Sequence, residues 1–144
     1  LSILDTIHKE EFVMGEVKFT RQKLMAKAGV DTGKPWTRTA LLGIIAAREA
    51  ILHAGLSPEE LKNSGLISAS TVGGMDRSEL YYKDFLKGAH KENIDTHHAG
   101  DSTEKIAEIL GIKGFLSTIS TACSSSLNSQ MLAVKMLRGG LLDR

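Results

Sequence analysis

The 144-residue chain carries 18 basic and 17 acidic side chains, for a formal net charge of +1, and 42% of its residues are hydrophobic. That balance excludes the strong field a nucleic acid or an anionic membrane surface would require, and the apolar share is enough to bury the core of one domain. The longest apolar stretches, such as residues 41–47, are far too short to cross a bilayer, and the amino end lacks the order of a secretion signal.

The expectation is therefore a soluble protein with no membrane and no nucleic-acid partner. Cys123 is the single cysteine, so no intrachain disulfide forms and the sulfur is inert packing, a metal ligand or a working thiol. This usage points to a cytoplasmic location. The chain opens on Leu1 rather than methionine and stops just past a helical pattern, at Leu141-Leu142-Asp143-Arg144, so it reads as a fragment.

Residues 1–36 mix charged and apolar side chains without a clean period, and no element is assigned to them. Gly29-Val30-Asp31-Thr32-Gly33-Lys34-Pro35 closes them as a loop. From residue 37 to 54, Leu41, Ile44, Ile45, Ile51 and Leu52 recur at helical spacing, and Gly55 stands where helices commonly end. Ser57-Pro58-Glu59-Glu60 combines a capping serine, a first-turn proline and a capping-box glutamate, which predicts a short helix ending near Asn63.

Residues 65–72 are short, apolar and closed by Gly73-Gly74, as in a buried strand. A helix is expected over residues 76–86, irregular chain over 87–100, and a further helix opened by an Asp101/Glu104 capping box and stopped by Gly111. Residues 115–121 read as a strand, and 124–138 as a helix with Leu127, Met131, Val134 and Arg138 on one side. Helices alternating with short apolar strands imply an α/β layer structure with a largely parallel sheet. Two strands are too few to complete such a sheet.

Cys123 falls where the second strand hands over to the last helix. A thiol there sits beside the unpaired N–H groups of the helix start, whose partial positive charge favours the thiolate, the form that attacks carbonyl carbon. Small neighbours, Ala122 and Ser124 to Ser126, leave room for a substrate, and the Cys123 N–H is placed to stabilise an oxyanion. Inert packing is the competing reading. However, capping explains one serine after the cysteine more readily than three.

Ser120-Thr121-Ala122-Cys123-Ser124-Ser125-Ser126-Leu127 resembles the active-site cysteine segment of β-ketoacyl-(acyl carrier protein) synthases of both the fatty-acid and polyketide types. The order of elements from residue 37 to 144 is similar to the nucleophile-bearing part of that family, which leaves residues 1–36 as a separate segment. The resemblance implies a thiolase-like α/β fold, of which this chain is part of one half of a duplicated five-layer arrangement. It assigns Cys123 as the acyl carrier in a decarboxylative Claisen condensation that makes a 3-oxoacyl thioester. Its partner is an acyl carrier protein bearing acyl and malonyl groups on phosphopantetheine, with no metal or redox cofactor.

The resemblance further implies a homodimer through the strand at 115–121. It also implies two histidines and a lysine in a second half that this chain does not reach, so these 144 residues alone do not condense anything. A coenzyme-A-dependent thiolase-like enzyme, and a noncatalytic partner subunit or binding module of the same fold, remain as alternatives. The retained cysteine argues against the second.

Other signals carry less. His97 and His98, near His90, Asp95 and Asp101, lack zinc-ligand spacing, and adjacent histidines in extended chain point apart. The 29–34 glycine loop is one residue short of a phosphate-binding loop, with Pro35 where a magnesium-binding hydroxyl belongs. Trp36, Tyr81, Tyr82 and Phe85 are expected to be core or core-edge residues.

Overall fold

A computed structural model describes Glu11 and residues 17–144. The rest of the amino-terminal segment lies outside the described residues. Within 17–36, where the sequence assigns no element, a helix α1 (Arg21–Ala28) is present. Thr20 caps it by accepting from the Lys23 N–H at 3.3 Å, and Gly29 ends it in the left-handed conformation. Its eight residues gave too short a window for periodicity to register. Its apolar face nevertheless buries Leu24, Met25 and Ala28.

The helix α2 (Arg38–Ala54) starts after Thr37, whose hydroxyl accepts from the Ala40 N–H at 3.0 Å, and ends at the left-handed Gly55. Leu41 and Ile44 are fully buried, whereas Leu52 at the far end is 83% exposed, so only the first half of the expected stripe faces the core. That core joins α1, Trp36, α2 and Ile106. Trp36 is its largest fully buried side chain, and its indole N–H donates to the Asp31 carbonyl at 2.7 Å. The 29–35 loop is thus a turn built around Trp36. Asp31 also accepts from the Gly33 N–H, and Lys34 is paired with Glu108.

The helix α3 (Pro58–Lys62) has the full capping box read from the sequence. Glu60 accepts from both the backbone and the hydroxyl of Ser57 and pairs with Arg144, whose carbonyl receives the Gly65 N–H. The Ser57 backbone bond, then the Ser57 hydroxyl, then Arg144 hold the Glu60 carboxyl down to about 2. A lowered carboxyl pKa stabilises the fold above the ordinary glutamate value and loses that contribution as pH falls through the folded one. The tie between α3 and the carboxyl end is accordingly expected to loosen below the usual glutamate range, going as pH nears 2. An NMR titration of Glu60 checks this, and Arg144→Ala should raise the midpoint without restoring the ordinary value.

The strands β1 (Leu66–Ala69) and β2 (Leu116–Ile119) pair in parallel, Leu66 opposite Leu116 and Ala69 opposite Ile119. Between them run α4 (Met75–Phe85), α5 (Lys91–Ile94), a 3-10 turn (Asp95–His97) and α6 (Ala99–Leu110). Two expectations fail here. Residues 87–100 are not irregular, since they hold α5, the turn and the start of α6. That stretch escapes periodicity because its pieces are single turns.

Secondly, α6 is capped by His98, whose Nδ1 accepts from the Asp101 N–H at 3.0 Å, and not by Asp101. Asp101 instead sits inside the first turn and binds Lys105 at 2.8 Å. A ring nitrogen thus fills the role that short side chains usually take. The helix is fastened to both strands by Thr103, which shares hydrogen bonds with Ser68 of β1 and Thr118 of β2.

Gly73 and Gly74 let α4 start against the 95–97 turn. Gly73 has a φ of 52°, and a Cβ on Gly74 would lie 2.0 Å from the Thr96 carbonyl oxygen. Backbone cannot rotate away as a side chain can. Gly74→Ala is therefore expected to lower stability by about 1–3 kcal/mol, measurable as a shifted urea midpoint.

The last helix, α7 (Ser125–Arg138), packs on both strands through a narrow face that buries Ser125 and Ser129. The apolar residues expected on one side of it, Leu127, Met131 and Val134, are 45 to 62% exposed. Among the described residues, no helix is long and apolar enough to cross a membrane.

Candidate active site

Parallel pairing puts the carboxyl ends of β1 and β2 side by side, the edge at which open α/β sheets commonly gather their functional loops. The Ser70 N–H still donates to the Ile119 carbonyl, and beyond that rung the strands part into two turns. One turn is residues 70–74, leading into α4. Its Ser70 hydroxyl receives the Gly73 N–H, and the Gly73 carbonyl receives the Thr39 hydroxyl. The other is a 3-10 turn (Ala122–Ser124) that carries Cys123 and opens directly into α7.

Ala122 has a φ of 51°, a left-handed conformation that costs a side-chain-bearing residue about 1–2 kcal/mol. Its carbonyl oxygen collects the donors that hold it there. They are the Thr71 hydroxyl at 3.0 Å, the Ser125 hydroxyl at 2.7 Å and the Ser125 N–H. Each such bond contributes about 1 kcal/mol, enough together to offset the strain.

The Ser125 oxygen also accepts from the Thr121 N–H at 2.8 Å. Ser124 donates to the Thr121 carbonyl at 2.7 Å, and the Asn128 amide bridges Thr121 Oγ1 and Ser124 Oγ at 2.9 and 3.3 Å. The serines after the cysteine therefore brace a bend. Ser124 stands at the N-cap of α7 but makes no side-chain cap bond.

The Cys123 thiol is exposed at the tip of this braced turn. Among the described residues, none of the side-chain hydrogen bonds uses its sulfur, and its backbone N–H is not a donor in the bonds of the turn. An uncovered thiol on a fixed bend, with a free N–H beside it, has the shape of a nucleophile with half of an oxyanion cradle.

The other sequence candidates are dispersed. His97 bonds Ser78, His98 caps α6, and His90 lies 4.8 Å from the Tyr81 ring and near Glu92. Among the described residues, no three potential metal ligands come together. Of the aromatics, Trp36 is core, while Tyr82 is 54% exposed.

Sequence reasoning missed Thr71, Asn128 and the left-handed Ala122. Asn128 was within reach of it, since positions four and seven residues after Ser124 and Thr121 share a helix face. Thr71 was not, because only strand pairing brings it across a sequence separation of 51 residues.

A family model for the N-terminal domain of β-ketoacyl synthase matches residues 31–143. Over 107 residues the chain is 36% identical to pikromycin polyketide synthase component PikAIII of Streptomyces venezuelae, covering 71% of this chain and 7% of that protein. It is 30% identical over 113 residues to nodulation protein E of Rhizobium meliloti, covering 74% and 28%. It is 26% identical over 125 residues to putative polyketide beta-ketoacyl synthase 1 of Streptomyces halstedii, covering 78% and 30%. The chain thus spans under a third of each of these relatives. With the family match running through both strands and the cysteine turn, the chain belongs to the β-ketoacyl synthase family.

Proposed function

We propose that this chain supplies the nucleophile of a carrier-dependent condensing enzyme of polyketide type, with Cys123 as the residue that is acylated. The observation that carries the reading is the exposed thiol on a hydrogen-bonded bend at the carboxyl edge of two parallel strands. The similarity to pikromycin polyketide synthase component PikAIII and to putative polyketide beta-ketoacyl synthase 1 supports polyketide over fatty-acid synthesis.

In the first step the sulfur attacks the acyl thioester carbon, a new thioester forms on Cys123, and the carrier thiol leaves with the proton. In the second, malonyl carrier protein loses carbon dioxide, and the resulting α-carbon attacks the acyl carbonyl and expels the cysteine sulfur. The Cys123 N–H is positioned to receive the oxyanion of either tetrahedral intermediate. His90, His97 and His98 are engaged elsewhere, and in this reading they take no part in the decarboxylation. No metal or redox cofactor enters either step.

The fold in this reading is an incomplete part of one thiolase-like half of a duplicated five-layer arrangement. The outer edge of β2 has no partner strand among the described residues, and Phe115 and Leu116 are about two-fifths exposed there. This supports a homodimer formed by pairing of the 115–121 segments. A working thiol suits a reducing compartment, which favours the cytoplasm.

Thr71 acts as a positioning residue through the Ala122 carbonyl. In the full-length enzyme, Thr71→Val is expected to lower kcat about fivefold to tenfold, the loss of roughly one hydrogen bond, with KM little changed. A comparison of carrier-bound with coenzyme-A-bound acyl donors tests the function itself. Carrier-bound donors should give the higher kcat/KM, and equal or better use of coenzyme A would replace the carrier reading with the thiolase-like one.

A further inference from the structure

Buried cations in folded proteins are paired with carboxylates or have every N–H satisfied, because leaving water is otherwise costly. Arg77 of α4 departs from this. It is only 8% exposed, yet among the described residues no carboxylate stands at ion-pair distance from it. Its Nε and Nη2 both donate to one acceptor, Asn93 Oδ1, and its guanidinium lies 4.5 Å from the Tyr81 ring. The Nη1 donors have no protein acceptor among the described residues.

Arg21 of α1 stands beside it, with neither a hydrogen bond nor an ion pair among the described residues. Burial first, and the Arg77 charge second, lower the Arg21 pKa against a partial offset from Asp76. Two guanidinium groups thus share one space, and among the described residues no carboxylate stands at ion-pair distance from either.

That space is a cleft of about 510 Å³ whose walls also carry Lys34 and Glu92. Lys34 is paired with Glu108, and Glu92, which accepts from the Asn93 amide, stands at ion-pair distance from neither arginine. Behind the cleft, a cavity of about 130 Å³ adds Arg38 and Asp76. One Asp76 oxygen accepts from the Arg38 N–H at 3.0 Å, and the other is buried with no partner among the described residues. The Arg38 guanidinium is spent on the carbonyls of Val17 and Phe19. Asp76 lines the inner cavity but not the outer cleft, where Arg21 and Arg77 remain open.

We infer that the cleft between α1 and α4 binds a small phosphate-bearing molecule, its dianion held between the guanidinium groups of Arg21 and Arg77. A planar carboxylate is satisfied by one guanidinium fork, whereas a tetrahedral dianion offers oxygens to forks arriving from two helices and matches two positive charges. Neither arginine belongs to the Cys123 turn, so the inference is independent of the condensing reaction.

The purified protein is titrated calorimetrically with inorganic phosphate, glycerol phosphate and acetate at constant ionic strength. Saturable binding of one phosphate per chain is expected, with glycerol phosphate binding at least as tightly and acetate at least tenfold more weakly. Arg21→Gln removes no hydrogen bond among the described residues, so its melting temperature should hold while phosphate affinity falls at least tenfold. Arg77→Lys, which keeps the charge but loses the fork, should also weaken binding. Absence of saturable phosphate binding, unchanged affinity in Arg21→Gln, or acetate binding as tight as phosphate would each overturn the assignment.

Discussion

Replacing Cys123 by alanine in the full-length enzyme is expected to lower condensation on the order of 10³-fold or more, with the melting temperature unchanged. The rate loss follows from removing the covalent step. Without sulfur there is no acyl-enzyme, and binding together with the residual oxyanion cradle accounts for only the background that remains when a nucleophile is deleted. The unchanged stability follows from the environment, because the thiol is exposed and none of the turn's side-chain hydrogen bonds uses it. Steady-state assay and thermal melting, run on the same preparation, check both halves. Undiminished condensation would favour a noncatalytic partner subunit. A large fall in melting temperature would instead make Cys123 a packing residue.

Trp36→Ala should have the largest effect on stability, about 3–5 kcal/mol. Trp36 is 1% exposed and packs with α1, α2 and Ile106, so truncation leaves a cavity that three helices cannot all move to fill. It also deprives the Asp31 carbonyl of its 2.7 Å donor and removes the ring beneath Lys105. For a domain of this size the loss corresponds to a fall in melting temperature of about 10 °C or more. Trp36→Phe retains most of the volume and should cost much less, which separates filling from hydrogen bonding. Urea denaturation of the three proteins measures the difference.

The parts of the fold legible in the sequence were those written in local chemistry. The Ser57 capping box, the Gly55 and Gly111 stops and the strand that feeds Cys123 each depend on residues within a few positions of one another, and they appear where expected. Misreadings arose where a local signal had a competitor. Asp101 and Glu104 spell a capping box, but His98, the residue just before the helix, reaches the Asp101 N–H, and Asp101 is taken by Lys105.

The stripe on α7 shows a different limit. Periodicity finds which residues share a face without saying what that face meets, and Leu127, Met131 and Val134 face solvent here while the serine face packs on the strands. At the candidate site, the bend and its exposed thiol were legible from strand, cysteine and helix order. The support from Thr71 was not, since it depends on tertiary pairing of β1 with β2.

The direct measurement is peptide mass spectrometry of full-length protein quenched after brief exposure to an acyl carrier-protein thioester without malonyl donor. Trypsin cleavage after Lys113 and Lys135 isolates Cys123 with no second thiol. That peptide should gain the mass of one acyl group, removable by hydroxylamine as a thioester is. An unmodified peptide beside an acyl adduct elsewhere in an active preparation would contradict the account.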